Sequence, residues 1–448
     1  MLKKVPHGLL ALVGILLPSL SAAENLIDIF QLSLANDPEL KAAQYAKKAD
    51  QESRPKALAK LFPKIDINSN AGIASQDVQD TWAEIDTNGD NVNDYLGLSI
   101  HKQASLTLNL KQPIFNLSHI RTLKVADIQL TRAELNYRIA QQALLLRVAE
   151  RYFSVLSAVD SLNFARAEKN AIAKQLEQTK NRFQVGLTAV TDVHESQARH
   201  DLAVANEIKA ETQLANQKES LARITGATHN NLMMLKDDTP LIPPSPTSMK
   251  DWTEAALGSN FEIAEKKLQA DILRQEMNVL RASNFPTLDF NVSYGYNNYG
   301  GAYGQETLDG LASLDLNMTI FEGNISSSRI NEKKHRFDQT IQLIDAKERE
   351  VLQQTRNAYL GVLAGMSYVK ALSQALKSSG QALQATDAGF EVGTRSAIEV
   401  LNARRELFRS QRDYALARYE YVINMLKLKV AVGLLSIDDL EQINSWLH

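Results

Sequence analysis

The chain of 448 residues contains no cysteine. That absence excludes structural disulfides, cysteine-ligated metal sites, cysteine nucleophiles and a lipid carried on an N-terminal cysteine. Beyond the N-terminal region, no segment approaches the run of about 18 or more apolar residues that a membrane-spanning helix needs. The sequence therefore leaves two possibilities, a soluble protein or one that enters an outer membrane as strands.

Proline is missing from two long stretches. No proline stands between Pro113 and Pro240, and none follows Pro286. Residues 115–185 are mostly Ala, Leu, Gln, Glu, Lys and Arg, which favour helix. Apolar residues step along this segment by four and three, as in a heptad seam: Leu145, Ala149, Tyr152, Leu156 and Val159. The pattern predicts about 70 residues of helix, a rod of roughly 105 Å.

Charge is moderate and of both signs. The chain is 44% apolar and 23% charged, with a net charge of −3, so the composition is neither that of a disordered chain nor that of a collagen. The slight excess of acidic residues gives no support to nucleic-acid binding, which depends on basic side chains that neutralise phosphates.

Residues 1–23 have the pattern of a secretory signal. Lys3 and Lys4 precede the apolar run Leu9–Leu20, and small residues end the segment. We therefore expect this segment to be removed on export, so that the mature chain begins at Glu24.

The chain carries one sequence unit twice. The segment FPKIDINSNAG at Phe62–Gly72 matches FPTLDFNVSYG at Phe285–Gly295, 223 residues later. The segment FQVG that ends at Gly186 matches FEVG that ends at Gly393, 207 residues later. Glycine permits the left-handed backbone at a helix end. We therefore expect each long helical rod to fold back as a hairpin at one of these two glycines.

The repeat predicts the domain organisation. The first copy covers residues 24–237 and the second 251–436, and the proline-rich segment 238–250 joins them as a stiff linker. Each copy consists of a helix, a strand hairpin and a long helical hairpin. The strand hairpins are predicted at about 62–115 and 285–321.

The predicted strands alternate apolar and polar residues. The run Ser313–Ile320 shows this most clearly, and each run spans about 10 residues, enough for a tilted strand to cross a bilayer. A phenylalanine stands at the helix-facing end of each strand: Phe62, Phe115, Phe285 and Phe321. Four aromatics at one level resemble an interfacial girdle. The same pattern also suits core phenylalanines where sheet meets helix.

Two strand hairpins supply only four strands. A membrane sheet must close, because an open edge leaves backbone groups unpaired in hydrocarbon, and known closed sheets have about eight strands or more. Several copies of the chain must therefore share one barrel in a ring, with the helical hairpins continuing it as a tube. The sequence does not fix the number of copies.

The sequence resembles the TolC family of outer-membrane channel-tunnels over essentially the whole mature chain. The resemblance rests on ANDPEL at Ala35–Leu40, RFQVGLTAVTDV at Arg182–Val193, LARITG at Leu221–Gly226 and FEVGTRSAIEVLNA at Phe390–Ala403. It implies an α+β fold and a homotrimer in which each chain gives four strands to a 12-stranded transmembrane β-barrel. A long coiled-coil α-helical barrel would continue it, with a mixed equatorial domain that includes residues 437–448.

The resemblance also implies a location and a function. The protein would lie in the outer membrane and extend into the periplasm, as the exit duct of tripartite multidrug efflux pumps and type I protein secretion systems. Its partners would be outer-membrane lipid, periplasmic adaptor proteins, inner-membrane pumps or exporters, and the exported drugs and proteins. No cofactor is implied.

In this family, inward-curving helices close the periplasmic end, held by hydrogen bonds and ion pairs. By motif, Thr191 and Asp192 fall on one hairpin tip, and Phe390, Arg395 and Glu399 fall on the other. The resemblance makes Asp192 with Arg395 the candidate latch. It makes Glu399 the candidate for a ring of carboxylates that attracts cations at the entrance. Without the resemblance, the same residues suit a solvated turn between two helices.

Two residues depart from the family pattern. The family has tyrosine where Phe390 stands, so a phenolic hydrogen bond is lost, and aspartate where Asn402 stands, so one of two acidic rings is missing. We therefore expect cations to block this channel more weakly.

A calcium-loop spacing occurs in Asp86, Asn88, Asp90 and Asp94. Gly97 stands where an EF-hand has its bidentate glutamate, and a hydrophilic loop facing the cell exterior fits these residues as well. His194 and His200 lie six apart, whereas zinc-binding helices place histidines about four apart. No catalytic motif is found.

Two other functions fit parts of the sequence. A soluble periplasmic coiled-coil adaptor would also have a signal peptide and helical hairpins, but it would not need four alternating strands with terminal aromatics. A secreted enzyme on a helical scaffold would need a recognisable active site.

Overall fold

Helices dominate the part of the chain that the structure, a computed structural model, describes: residues 23–77, 98–300 and 305–448. The helices are α1 (Leu26–Asn36), α2 (Pro38–Gln51), α3 (Ser53–Ala59), α4 (Leu117–Gln184), α5 (Val190–Thr225), α6 (Met249–Ser259), α7 (Phe261–Ala282), α8 (Ile325–Glu391), α9 (Ala397–Ala431) and α10 (Ile437–Asn444). The strands are β1 (Lys64–Asp77), β2 (Leu98–Phe115), β3 (Thr287–Tyr299) and β4 (Gln305–Asn317).

The chain divides into two compact units. Unit 1 comprises the chain up to Lys41, Gln141–Ala256 and Gln353–His448; unit 2 comprises Ala42–Ala140 and Leu257–Leu352. Unit 2 therefore holds all four strands. Each unit takes segments from both sequence repeats, because α4 and α8 each contribute to both units.

The two longest helices, α4 and α8, have 68 and 67 residues. They run without interruption because their sequences contain no proline and consist largely of strong helix formers. The predicted class, α+β with long helices and four strands per chain, is confirmed. Among the described residues, no helix combines the length and the apolar character needed to cross a membrane.

The strands form one antiparallel sheet in the order β1-β2-β3-β4. The register places Leu110 between Ile65 and Val292, so apolar residues share one face. The next row places Lys111 beside Asn291, so polar residues share the opposite face. We call these the apolar face and the polar face of the sheet.

The last strand is shorter than its alternating sequence predicts. β4 ends at Asn317, whose partner is Thr287, the first residue of β3. Pro286 precedes that partner and has no N–H to donate, so the ladder stops there. The prediction that Met318 and Ile320 extend the strand is therefore wrong.

The four phenylalanines lie near the strand ends. Phe115 is the last residue of β2, Phe62 and Phe285 stand two residues before β1 and β3, and Phe321 stands four residues after β4. Their exposed fractions are 58% for Phe62, 44% for Phe115, 53% for Phe285 and 79% for Phe321. Within one chain none of the four belongs to a core.

Unit 1 contains the main hydrophobic core around α4 and α9. Tyr152 and Tyr421 are fully buried there, and the hydroxyl of Tyr152 donates to the carbonyl of Met233 at 2.8 Å. Leu144 and Val148 are fully buried as well. The buried surface of α4 is therefore wider than a heptad seam, because α4 packs on more than one side.

Candidate functional site

Two short connections join the long helices in pairs. We call residues 185–189, between α4 and α5, the first tip, and residues 392–396, between α8 and α9, the second tip. Gly186 and Gly393 have φ of +76° and +78°. This left-handed backbone ends each helix, because residues with a Cβ are strained there. Both tips belong to unit 1.

At the first tip, a threonine and an aspartate bond to each other at the start of α5, whose N-cap residue is Ala189. The hydroxyl of Thr188 donates to the carboxylate of Asp192, and Asp192 lies in the first helical turn, where the helix dipole favours negative charge. Thr191 is exposed on the same turn. The carbonyl of Arg182 accepts from the N–H of Leu187 at 2.8 Å and closes the end of α4.

At the second tip, Ser396 and Glu399 form a capping box. The N–H of Ser396 donates to Glu399 Oε2 at 2.7 Å, and the hydroxyl of Ser396 accepts from the N–H of Glu399 at 3.3 Å. Arg395 Nη1 lies 2.7 Å from Glu399 Oε1. The backbone N–H of Ser396, the guanidinium of Arg395 and the Ser396 hydroxyl together lower the pKa of Glu399 to about 2. The carboxylate is therefore ionised at any physiological pH.

One contact joins the two long helices next to their tips. The guanidinium carbon of Arg182, at the end of α4, lies 4.9 Å from the centre of the Phe390 ring, at the end of α8. This distance is typical of a cation–π interaction. Phe390 therefore keeps a polar partner within its own chain although it has no phenolic hydroxyl.

A second contact joins α5 to α9. Arg199 donates from Nη1 to the side-chain oxygen of Asn402 at 3.0 Å, and from Nη2 to Glu195 at 2.8 Å. Nearby, Ile172 of α4, Ala203 of α5 and Leu401 of α9 form a small buried cluster. Side-chain contacts therefore hold the two hairpins of unit 1 together close to their tips.

The structure places the predicted gate residues in the second tip or on the helix ends next to the two tips, but it does not join the candidate latch. Arg395 pairs with Glu399, and Asp192 accepts from Thr188. Within the described residues of one chain, no ion pair connects Asp192 to Arg395. Arg182 and Arg199 were not predicted. Both stand on the helices next to the first tip, and their partners lie more than 200 residues away in the chain, so the sequence offered no signal for either contact.

The predicted calcium loop, Asp86–Asp94, lies outside the described residues. Among the described residues, no group of three or more His, Asp or Glu side chains could hold a metal ion. His200 is half-buried and lies 3.6 Å from Asp201 on α5. His194 is exposed.

Comparisons with known proteins match the chain as a whole. The family model described as outer membrane efflux protein matches residues 29–227 and 252–434, which is most of the chain in two consecutive blocks. The two blocks leave out the proline-rich segment between them.

Individual relatives match over nearly the full length. The chain is 32% identical to the outer membrane protein TolC of Vibrio cholerae over 95% of this chain and 94% of that protein. It is 28% identical to the alkaline protease secretion protein AprF of Pseudomonas aeruginosa, over 94% and 86% of the two chains. The crystal structure of the Campylobacter jejuni CmeC outer membrane channel superimposes with a TM-score of 0.77 at 15% identity, over 95% and 90% of the chains.

Proposed function

This chain belongs to the outer membrane efflux protein family, and on that premise we propose how its own residues build and close an outer-membrane duct. It is an outer membrane protein that serves as the exit duct for exported cargo. Long paired helices and a sheet with one apolar face are the parts from which such a duct is made.

Three copies of the chain complete the duct. Within the described residues, β1 and β4 each pair with a single neighbour and form the edges of the sheet. Its apolar face is uncovered: Ile67 is 67% exposed and Leu314 66%. Edges and apolar surface of this kind require partners. Three copies bring 12 strands, within the range of closed membrane sheets.

The tips close the periplasmic end. We propose that Asp192 of one copy pairs with Arg395 of its neighbour and that Phe390 packs beside this pair, with Thr191 exposed at the same level. Asp192 of the neighbour then competes with Glu399 for Arg395. Within one chain, Arg395 Nη1 lies 2.7 Å from Glu399 Oε1. An exposed ion pair stabilises by only about 0–1 kcal/mol. Exchange of partners therefore costs little, and a docking protein that binds the open tip better shifts the population to it.

Glu399 of each copy contributes to one ring of carboxylates at the entrance. The neighbouring position of the family's second ring is Asn402, which is held by Arg199. A single ring attracts cations less strongly than two. We therefore propose weak cation selectivity at this end.

The function as an exit duct implies partners that deliver cargo to its periplasmic end. We propose periplasmic adaptors together with inner-membrane pumps or type I exporters, and drugs and proteins as cargo. The family description names efflux, and the name of the Pseudomonas aeruginosa relative names secretion. Transport through a duct needs no bond making or breaking, so no residue is assigned a catalytic role. A soluble adaptor is disfavoured by the uncovered apolar face of the sheet.

Single-channel conductance in planar bilayers tests the latch. Asp192→Ala/Arg395→Ala removes both members of the proposed ion pair between copies, so the closed state becomes less stable. We expect a larger conductance or a higher open fraction than in the wild type.

The matched control removes an exposed pair of the same kind away from the tips. Arg349 lies 2.7 Å from Asp345 on α8, and Asp345→Ala/Arg349→Ala should leave the currents unchanged. Wild-type currents in the tip variant would refute the latch. Absence of any wild-type channel would refute the duct itself.

A further inference from the structure

Unit 2 contains a cleft that the duct function does not explain. It lies among α3, α4, α7 and α8 and has a volume of about 440 Å³, within the usual range of small-molecule sites, roughly 300–1,000 Å³. Its floor is apolar: Ala57, Val125 and Ala126 are buried there. Three lysines and one glutamate, Lys56, Lys60, Lys333 and Glu276, stand around it.

Two of these lysines have no anionic partner in the part of the chain that the structure describes. Lys333 lies 2.7 Å from Glu276, so these two charges neutralise each other. Lys56 is on α3 and Lys60 is the residue that ends it, four residues later, and neither takes part in an ion pair among the described residues. Like charges at this spacing repel. The cleft therefore has two uncompensated positive charges beside an apolar floor.

Lys60, which lines the cleft, lies near residues of the polar face of the sheet. On that face Lys111 pairs with the buried carboxylate of Asp289 at 2.9 Å. His119, at the start of α4, lies close to Asp289, Lys111 and Lys60, and burial and the charge of Lys60 lower its pKa. Thr122 and Ala126 follow His119 by three and seven residues and so share its side of α4. If the duct closes as proposed, this side faces the lumen, because polar faces line such lumens.

We propose that this cleft binds a small amphipathic organic anion from the lumen. Its acidic group lies between Lys56 and Lys60, and its apolar body lies on Val125 and Ala126. Charge complementarity and the size of the cleft support this occupant. A membrane phospholipid would approach from the apolar face of the sheet, which is the opposite side.

Direct binding to the full mature protein in phosphatidylcholine nanodiscs tests the site, with 2-naphthalenesulfonate as the probe and titration calorimetry as the readout. Lys56→Gln/Lys60→Gln removes both charges, and we expect at least tenfold weaker binding. The matched control is Lys124→Gln, an exposed lysine on the other side of α4, which should stay within twofold of wild type. The uncharged 2-naphthalenesulfonamide should bind at least tenfold more weakly than the sulfonate.

Three results would overturn the proposal. One is equal affinity in wild type and Lys56→Gln/Lys60→Gln; another is equal binding of sulfonate and sulfonamide. The third is loss of binding in phosphatidylglycerol nanodiscs, which would assign the cleft to a lipid headgroup. The lumen assignment rests on the proposed function, so the same proteins are tested for conductance. Wild-type currents with no binding would refute the cleft alone, and missing currents would refute the duct.

Discussion

Glu399 is held in its ionised form by donors from the turn in which it stands. The N–H and hydroxyl of Ser396 and the guanidinium of Arg395 all point at its carboxylate. The sequence indicates an acidic residue at a tip. The spacing of Ser396 and Glu399 is also the sequence signature of a capping box, and Arg395 stands four residues before Glu399, a spacing at which side chains on a helix pair. The structure shows that all three donors reach the same carboxylate.

This environment makes a prediction about pH. A carboxyl group whose pKa lies at about 2 stays charged down to far lower pH than an ordinary glutamate, whose pKa is 4.5. Block of open channels by a trivalent cation from the periplasmic side should therefore change less than twofold between pH 7 and pH 4. It should be lost only as the pH falls toward the lowered pKa.

The matched variant is Glu399→Gln, which should lose most of the block already at pH 7. Block with a midpoint near pH 4.5 in the wild type would show an ordinary carboxyl group. It would then follow that the capping box does not form in the assembled channel.

At the scale of elements, the sequence does not predict the cation–π contact between Arg182 of α4 and Phe390 of α8. Arg182 and Phe390 stand 208 residues apart in the chain, and no sequence pattern indicates that they meet. The fold brings the guanidinium over the ring because the C-terminal ends of α4 and α8 lie side by side. The loss of the phenolic hydroxyl at Phe390 is therefore partly compensated within the same chain.

Removing this tie should favour the open tip. An exposed cation–π contact stabilises by about 0.5–1 kcal/mol, so Arg182→Ala should raise the open-to-closed ratio about two- to fivefold per copy, measured from single-channel records. Arg182→Lys keeps the charge and should have a smaller effect. A double-mutant cycle with Phe390→Leu checks the mechanism. Strictly additive effects would mean that the two side chains do not interact across the tips.

The strands show the same dependence on neighbours. Alternation correctly predicts a membrane-type strand for β1, β2 and β3, but it extends β4 to Ile320, where β3 offers no partner. A strand ends where its ladder ends, and the ladder depends on a different segment of the chain. For the long helices this limit does not apply, because their hydrogen bonds are internal.

At the scale of the whole molecule, the apolar face of the sheet governs assembly. Leu108 lies seven residues before Phe115 on β2, about 23 Å along the strand. With a tilt of ~40°, this is about 18 Å from the aromatic level, near the middle of a bilayer core of ~30 Å. Its neighbour Asn109 lies on the polar face.

Charge on these two faces should therefore have different effects. Leu108→Lys places an ammonium group toward lipid, at a cost of about 2–4 kcal/mol per copy near the midplane. The yield of three-chain particles from outer membranes, measured by native mass spectrometry, should fall at least fivefold. Asn109→Lys places the same group toward the lumen and should stay within twofold of wild type. Equal yields, or a wild-type mass of one chain, would contradict the assembly proposed above.

The sequence by itself determined the two-fold repeat, the long proline-free helices, the glycine turns and the alternating strands, because these depend on local propensity and on spacing along the chain. It also placed Asp192, Arg395 and Glu399 at the tips. Only the tertiary structure decided which distant side chains meet: Arg182 with Phe390, Arg199 with Asn402, and Lys56 with Val125 and Ala126 around one cleft. Such pairings depend on how distant segments pack, and no local pattern encodes that packing.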